Sequence, residues 1–432
     1  LAAGDNKTRD QEHAMTSKTT KTTHAFDFAR IRYSAETELE RVLEKDFALE
    51  QYYDIFDNRD EVEAITNEML SNSVLLSKAI APRIYDICSE IQGKLGFKEK
   101  IDFYLQSSAD INAFSINGYG FVPNIICFTS ALIQQMSDDE LRFVIGHEIG
   151  HLIYDHNKLD VIQRFLNKKE DERLPAMITL HYLRFIKYAE ISADRIGFIA
   201  MPDIHVVTNT FFKLTCGLSE EHLNFVAAEY LKQLDRIREI GVGNLFSTHP
   251  NPMIRIQSLM HFADSELAPQ PAKTALSREK LDAKVSNLMA LLETKPKKER
   301  DRKIVEFLAA VGLYMATLDK DSLDDKWNLL YDWISDYTTQ PETYLNYKSA
   351  ATIKKRVNAI CKYYAKQQDN DKFTLMEQIV CVTLIDGRLE LEEKKRLAEI
   401  AAAVNISTDA LNLIIRKCSE NVFTPNKKLR LH

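Results

Sequence analysis

The stretch "SDDELRFVIGHEIGHLIYDH" (137–156) constrains this chain more than any other part of it. Ser137-x-x-Glu140 is a capping box, and Met136 with Leu141 fits a hydrophobic staple, so a helix is expected to start at Asp138. On that helix His147 and His151 lie one turn apart on one face, with Glu148 beside the first. Leu141, Ile145, Ile149, Leu152 and Ile153 supply an apolar lining. Gly146 and Gly150 each cost about 1 kcal/mol relative to alanine inside a helix. That cost makes sense where a second backbone packs closely against this one. A surface helix with incidental histidines has little reason to carry it.

The pattern around this helix divides the chain. Residues 1–24 are polar, rich in Thr and Lys, and read as a disordered tail, with 1–14 resembling an upstream remnant. From Phe26 to Gly96 the period is helical. "KIDFYLQSS", "DINAFSI" and "GFVPNIICFTS" then alternate as three short strands. Pro123 cannot donate to a ladder, which places the third run on a sheet edge. Helical pattern resumes at Ser137. Residues 263–275, "ADSELAPQPAKTA", read as a linker, and "KPKKERDRK" (295–303) as a charged junction. Beyond it the pattern is all helix. The expected divisions are therefore 25–262, a linker with connecting helix over 263–300, and a helical domain over 301–432.

Two histidines do not complete a catalytic zinc site, which needs three protein ligands and an open position. His156 is a poor third, because the compact three-histidine pattern has Gly at 154 and His at 157, where this chain has Tyr154 and Asn157. "KYAEISADRIGFIA" offers a better one. Glu190 and Asp194 stand four apart on a second helix, with Ala193 leaving room for close packing. Glu190 is the candidate ligand, and Asp194 the acceptor for a ligand histidine's Nδ1–H. Alone, this pair would read as a solvated helix face. In "FSTHPNPMIRI", His249 sits in a polar turn ahead of Arg255. A histidine there can donate to a developing oxyanion. Arg255 can hold the loop or pair with Glu190 or Asp194. The plainer alternative is a turn histidine with a surface arginine.

Taken in order, "INAFSINGYGFVPNIICFTSALI", "MSDDELRFVIGHEIGH", "EISAD" and "STHPNPMIRI" resemble the gluzincin metallopeptidases that include the HtpX-like proteases and the CAAX prenyl endopeptidases. The resemblance covers roughly residues 75–260. It implies an α+β, mainly helical chain: a zincin-like domain with a small sheet, followed by an all-α domain. It further implies one catalytic Zn2+ on His147, His151 and Glu190, with Glu148 as general base and Asp194 behind the ligands. His249 and Arg255 would assist near the scissile carbonyl. Asn112, Ala113, Phe114, Phe121, Val122 and Asn124 correspond to the substrate-binding edge strand, where a peptide adds by backbone pairing. The C-terminal run "FTLMEQIVCVTLIDGRLELEEKKRLAEIAAAVNIS" resembles TerB-like helical domains. Its Asp386, Glu390, Glu392 and Glu393 are either cation ligands or acidic residues stabilising a helix N-terminus.

Composition narrows the rest. Net charge is −7 and the pI about 6.0, which argues against nucleic acid as a partner. Six scattered cysteines without C-x-x-C suggest a reducing compartment. There is no run of about 18 apolar residues, so no integral membrane segment is expected. The expectation is a cytoplasmic zinc endopeptidase acting on proteins or peptides, with a protein partner possible through the C-terminal helices. The competing expectation is a zinc-stabilised interaction or stress-response protein whose peptidase site is latent or vestigial. An intact Glu148 argues against the latter, since a purely structural zinc site has no use for it.

Overall fold

The computed structural model describes residues 26–46, 58–118, 122–159, 176–219, 221–222, 225–234, 236, 250–318, 322–346, 349–367 and 371–422. The fold is α+β and mainly helical, as expected. Helices α1 (Phe28–Ile31), α2 (Ser34–Arg41) and α3 (Asn58–Asn72) precede β1 (Ser73–Leu75), α4 (Pro82–Leu95), β2 (Ile101–Gln106), β3 (Ala113–Ile116) and β4 (Asn124–Thr129). There follow α5 (Ser130–Gln135), α6 (Asp138–Ile153), α7 (Ala176–Ala200), α8 (Ile204–Cys216), α9 (Ala227–Leu231), α10 (Pro252–Ala263) and α11 (Arg278–Met289). The C-terminal part holds α12 (Glu299–Ala316), α13 (Leu323–Ser335), α14 (Ala350–Tyr364), α15 (Asp371–Thr383), α16 (Leu391–Ala403) and α17 (Thr408–Val422). Among the described residues no helix is long and apolar enough to cross a membrane.

The four strands form one mixed sheet in the order β1-β2-β4-β3, with β2 and β4 parallel and the other pairs antiparallel. This corrects the edge assignment. Pro123 lies just before β4, so its missing N–H falls outside the ladder, and β4 is buried at every position with a neighbour on each side. The edge next to it is β3. Asn112, Ala113 and Phe114 stand at the start of that edge. Val122 and Asn124 do not: Val122 precedes β4, and Asn124 opens it, tying the loop down by accepting from the Gly118 N–H at 2.8 Å and donating to Glu99 at 3.1 Å. Phe121 lies outside the described residues.

Among the described residues two large apolar cores organise the helices. One gathers side chains from Ile31 to Leu292, the other from Ile304 to Cys418. The stretch 263–300 is therefore not a free linker. Its helix α11 sends Leu281, Val285, Leu288 and Met289 into the first core, and its Asp282 pairs with the fully buried Arg195 at 2.8 Å. The amphipathic spacing of α11 outweighs the Pro/Ala-rich composition ahead of it. Conversely, the start of α7 belongs to the second core through Leu180, and the Ala176 N–H donates to Asp332 at 3.1 Å. One helix thus joins both cores.

In the C-terminal part the acidic turn is used structurally. Glu390 and Glu393 form a capping box on α16, Glu393 also accepts from the buried Lys326 at 3.0 Å, and Asp386 accepts from the Arg388 N–H. These contacts fit the helix-stabilising alternative raised for these residues.

Candidate active site

The expected capping box is present: the Glu140 N–H donates to the Ser137 hydroxyl, and the Ser137 N–H to Glu140 Oε2 at 2.7 Å. Glu140 is further anchored by the buried Lys213 at 2.8 Å. The helix it starts packs against α7 at close range. A Cβ on Gly150 would lie 2.9 Å from Ala193 Cα, and one on Gly146 would collide with Ala200. The two glycines and Ala193 let two backbones approach, and that approach brings Glu190 opposite the histidines.

The result is a compact donor triangle. His147 Nε2 and His151 Nε2 are 3.1 Å apart, and Glu190 oxygens lie 3.6 and 3.5 Å from them. A tetrahedral ion with bonds of about 2.0–2.1 Å holds its donors roughly 3.3 Å apart. The triangle fits zinc in size and in its His–His–carboxylate chemistry. Among the described residues it is the one cluster of three such groups close enough to hold a metal.

The surroundings set the state of these donors. Asp194 Oδ1 sits 3.0 Å from His147 Nδ1. Arg255 donates to both Asp194 oxygens, at 2.8 and 2.6 Å, and reaches Glu190 at 3.0 Å. Its guanidinium is thus committed to the two carboxylates, with Phe211 covering its face at 4.6 Å. Burial opposes charge on Arg255, yet Asp194 and Glu190 outweigh it and push its pKa above the usual range. Burial likewise opposes ionisation of Asp194, but Arg255 and then His147 hold its carboxyl below the ordinary value. For His151, burial is overcome by Glu190 and then Glu148, so its pKa is raised.

His147, Glu148, Glu190 and Arg255 line a cavity of about 670 Å3. Asn112 and Ala113, at the β3 edge, also line it, as do Pro250 and Asn251. Leu132, Phe143, Val144 and Phe211 give it an apolar wall. His249 lies outside the described residues. Two contributors went unrecognised in the sequence. His156, set aside as a ligand, packs behind a candidate one: its Nδ1 is 2.7 Å from His151 Nδ1. Glu36, on α2, accepts from His156 Nε2 at 3.0 Å across a separation of 120 residues. No local pattern marks Glu36 as part of the site: Arg32 is its neighbour four residues earlier, but His156 and Ser192 reach it only through packing.

Comparison with known proteins finds metallopeptidases. Residues 79–170, which include α6, match the model of peptidase family M48. The plastoglobule-localized metallopeptidase 48 of Arabidopsis thaliana is 26% identical over 216 residues, 46% of this chain and 62% of that protein. A protease HtpX homolog of Bifidobacterium longum is 24% identical over 244 residues, 47% of this chain and 79% of that protein. Another, from Ralstonia nicotianae, is 23% identical over 235 residues, 46% of this chain and 80% of that protein. The matched part thus spans less than two thirds of the Arabidopsis relative. No solved structure matches the chain. On this footing residues 79–170 are similar to peptidase family M48, and the chain's relatives include HtpX-like metallopeptidases.

Proposed function

We propose that the chain is a zinc-dependent endopeptidase acting on proteins or peptides. The observation that carries this reading is the His147–His151–Glu190 triangle, of which His147 and Glu190 line one cavity together with Glu148. Zinc held there supplies Lewis acidity, which makes water nucleophilic near neutral pH and polarises a carbonyl. Glu148 takes the proton of the attacking water and passes it to the leaving amine. His249 donates to the oxyanion. Its sequence neighbours Pro250 and Asn251 line the cavity, which supports that role. Arg255, occupied by Glu190 and Asp194, holds the carboxylates rather than the substrate. The peptide binds extended, pairing its backbone with β3 beside the cavity. Glu148→Gln tests the assignment of the base. It should retain zinc and lose hydrolysis of an unfolded casein-like protein. Cleavage at the parent's rate would remove Glu148 from the mechanism.

A further inference from the structure

Each ligand histidine needs its other ring nitrogen held, because that bond fixes both the tautomer and the aim of the ring. Asp194 stands beside Nδ1 of His147. Among the described residues His151 has no carboxylate at its Nδ1. It has His156, brought back beneath α6 by Asp155, whose φ of 51° turns the chain in the left-handed region. The two Nδ1 atoms are 2.7 Å apart, so one carries a proton and the other accepts it.

The far side of His156 decides which. Its Nε2 lies 3.0 Å from Glu36 Oε1, on a carboxylate that also accepts from Arg32 at 2.7 Å and from the Ser192 hydroxyl. An ionised carboxylate can only accept. His156 must therefore carry its proton on Nε2, and its Nδ1, left bare in the neutral ring, accepts the Nδ1–H of His151. That arrangement leaves the lone pair of His151 Nε2 pointing at Glu190 and His147. Both supporting groups are buried, Glu36 completely. Ser192, which stands between Glu190 and Asp194 in sequence, also accepts from the Tyr33 N–H at 3.0 Å, fastening the start of α2 to the ligand helix.

We propose that His156 is the positioning residue of the second zinc ligand. Glu36 sets its tautomer, so that the N-terminal helix α2 forms part of the metal centre. The inference rests on the reading of His147, His151 and Glu190 as zinc ligands. It extends the centre upstream of the residues that match the family.

The test compares zinc affinity, by competition with a chromogenic chelator, in the full-length parent, His156→Phe and His156→Asn. The phenylalanine fills the space but offers no acceptor, and should weaken zinc binding about 10–100-fold. Asparagine presents an oxygen near the place of Nδ1 and should bind zinc close to the parent. A folded His156→Phe with parental affinity would overturn the proposal, as would an asparagine variant no better than phenylalanine. A second readout needs no variant. Long-range 15N–1H correlation on the histidine-labelled, zinc-loaded parent should show His156 protonated on Nε2 alone. Protonation on Nδ1 overturns the proposal even if the phenylalanine variant fails to fold. A parent that binds no zinc would overturn the ligand reading itself, and this inference with it.

Discussion

Arg255 grips Asp194 through two parallel bonds of 2.8 and 2.6 Å while its remaining terminal nitrogen reaches Glu190 at 3.0 Å. One guanidinium therefore neutralises both a candidate ligand and the carboxylate behind the other side of the site. Removing one partner of a buried pair costs roughly 3–5 kcal/mol, because the other charge is left uncompensated. Arg255→Leu should destabilise the zinc-free protein by about that amount. If zinc binds as proposed, it would offset the charge of Glu190 directly and of Asp194 through His147, so the melting-temperature gap between loaded and chelator-treated protein should widen in the variant. An unchanged gap would show that Arg255 does not balance these charges. Arg255→Lys should restore little, since an ammonium cannot form the two-pronged bond.

Gly150→Ala should cost about 1–3 kcal/mol, because its Cβ would meet the backbone of Ala193 at 2.9 Å and backbone cannot step aside. The displaced helix carries Glu190 and Asp194, so zinc affinity should fall too. Gly93→Ala is the contrast. It lies within α4 with nothing within 4 Å of the added atom, and should be stabilising by about 0.5–1 kcal/mol. Denaturant melts of both variants check the pair.

Truncation after residue 275 should abolish folding of the remaining chain. It removes Asp282 from the buried Arg195 and strips Leu281, Val285 and Leu288 from the first core. Asp282→Ala, measured in the full chain, isolates the charge part and should cost about 3–5 kcal/mol. A soluble, cooperatively melting 1–275 fragment would contradict the assignment of α11 to this core.

The Glu36 carboxyl has its pKa lowered from 4.5 to about 2, because His156 and then Arg32 outweigh the opposing effect of burial. Between those values the unfolded chain binds a proton that the folded one does not. This contribution, on the order of 3 kcal/mol, is complete above pH 4.5 and is lost as pH falls towards 2. Unfolding free energy should therefore drop less steeply over this range in Glu36→Gln than in the parent. Both are measured with chelator present, so that acid release of metal adds nothing. Identical slopes would show that Glu36 is not held in its ionised form.

Much of the site was legible because its signals are local. A capping box spans four residues and an HExxH pair one turn, so helix α6 and the shared face of His147 and His151 follow from hydrogen bonding within the segment. The spacing of Glu190 and Asp194 on α7, and the two glycines that demanded a close neighbour, belong to the same class. The sheet was less legible. Pro123 was correctly barred from a ladder, but a proline just before a strand satisfies that rule as well as one on an edge does. Strand order is a matter of pairing between segments, and β4 is interior because β2 pairs along one of its edges and β3 along the other.

What the sequence determined by itself was the set of candidate donors, because their chemistry and helical spacing are written into short stretches. Only the tertiary structure decided how they are held. It gave Arg255 to the carboxylates, joined His156 to His151, and brought Glu36 and Asp282 from distant helices to buried partners. Such contacts depend on which apolar faces of separate helices pack together, and that is settled by the whole core rather than by any segment.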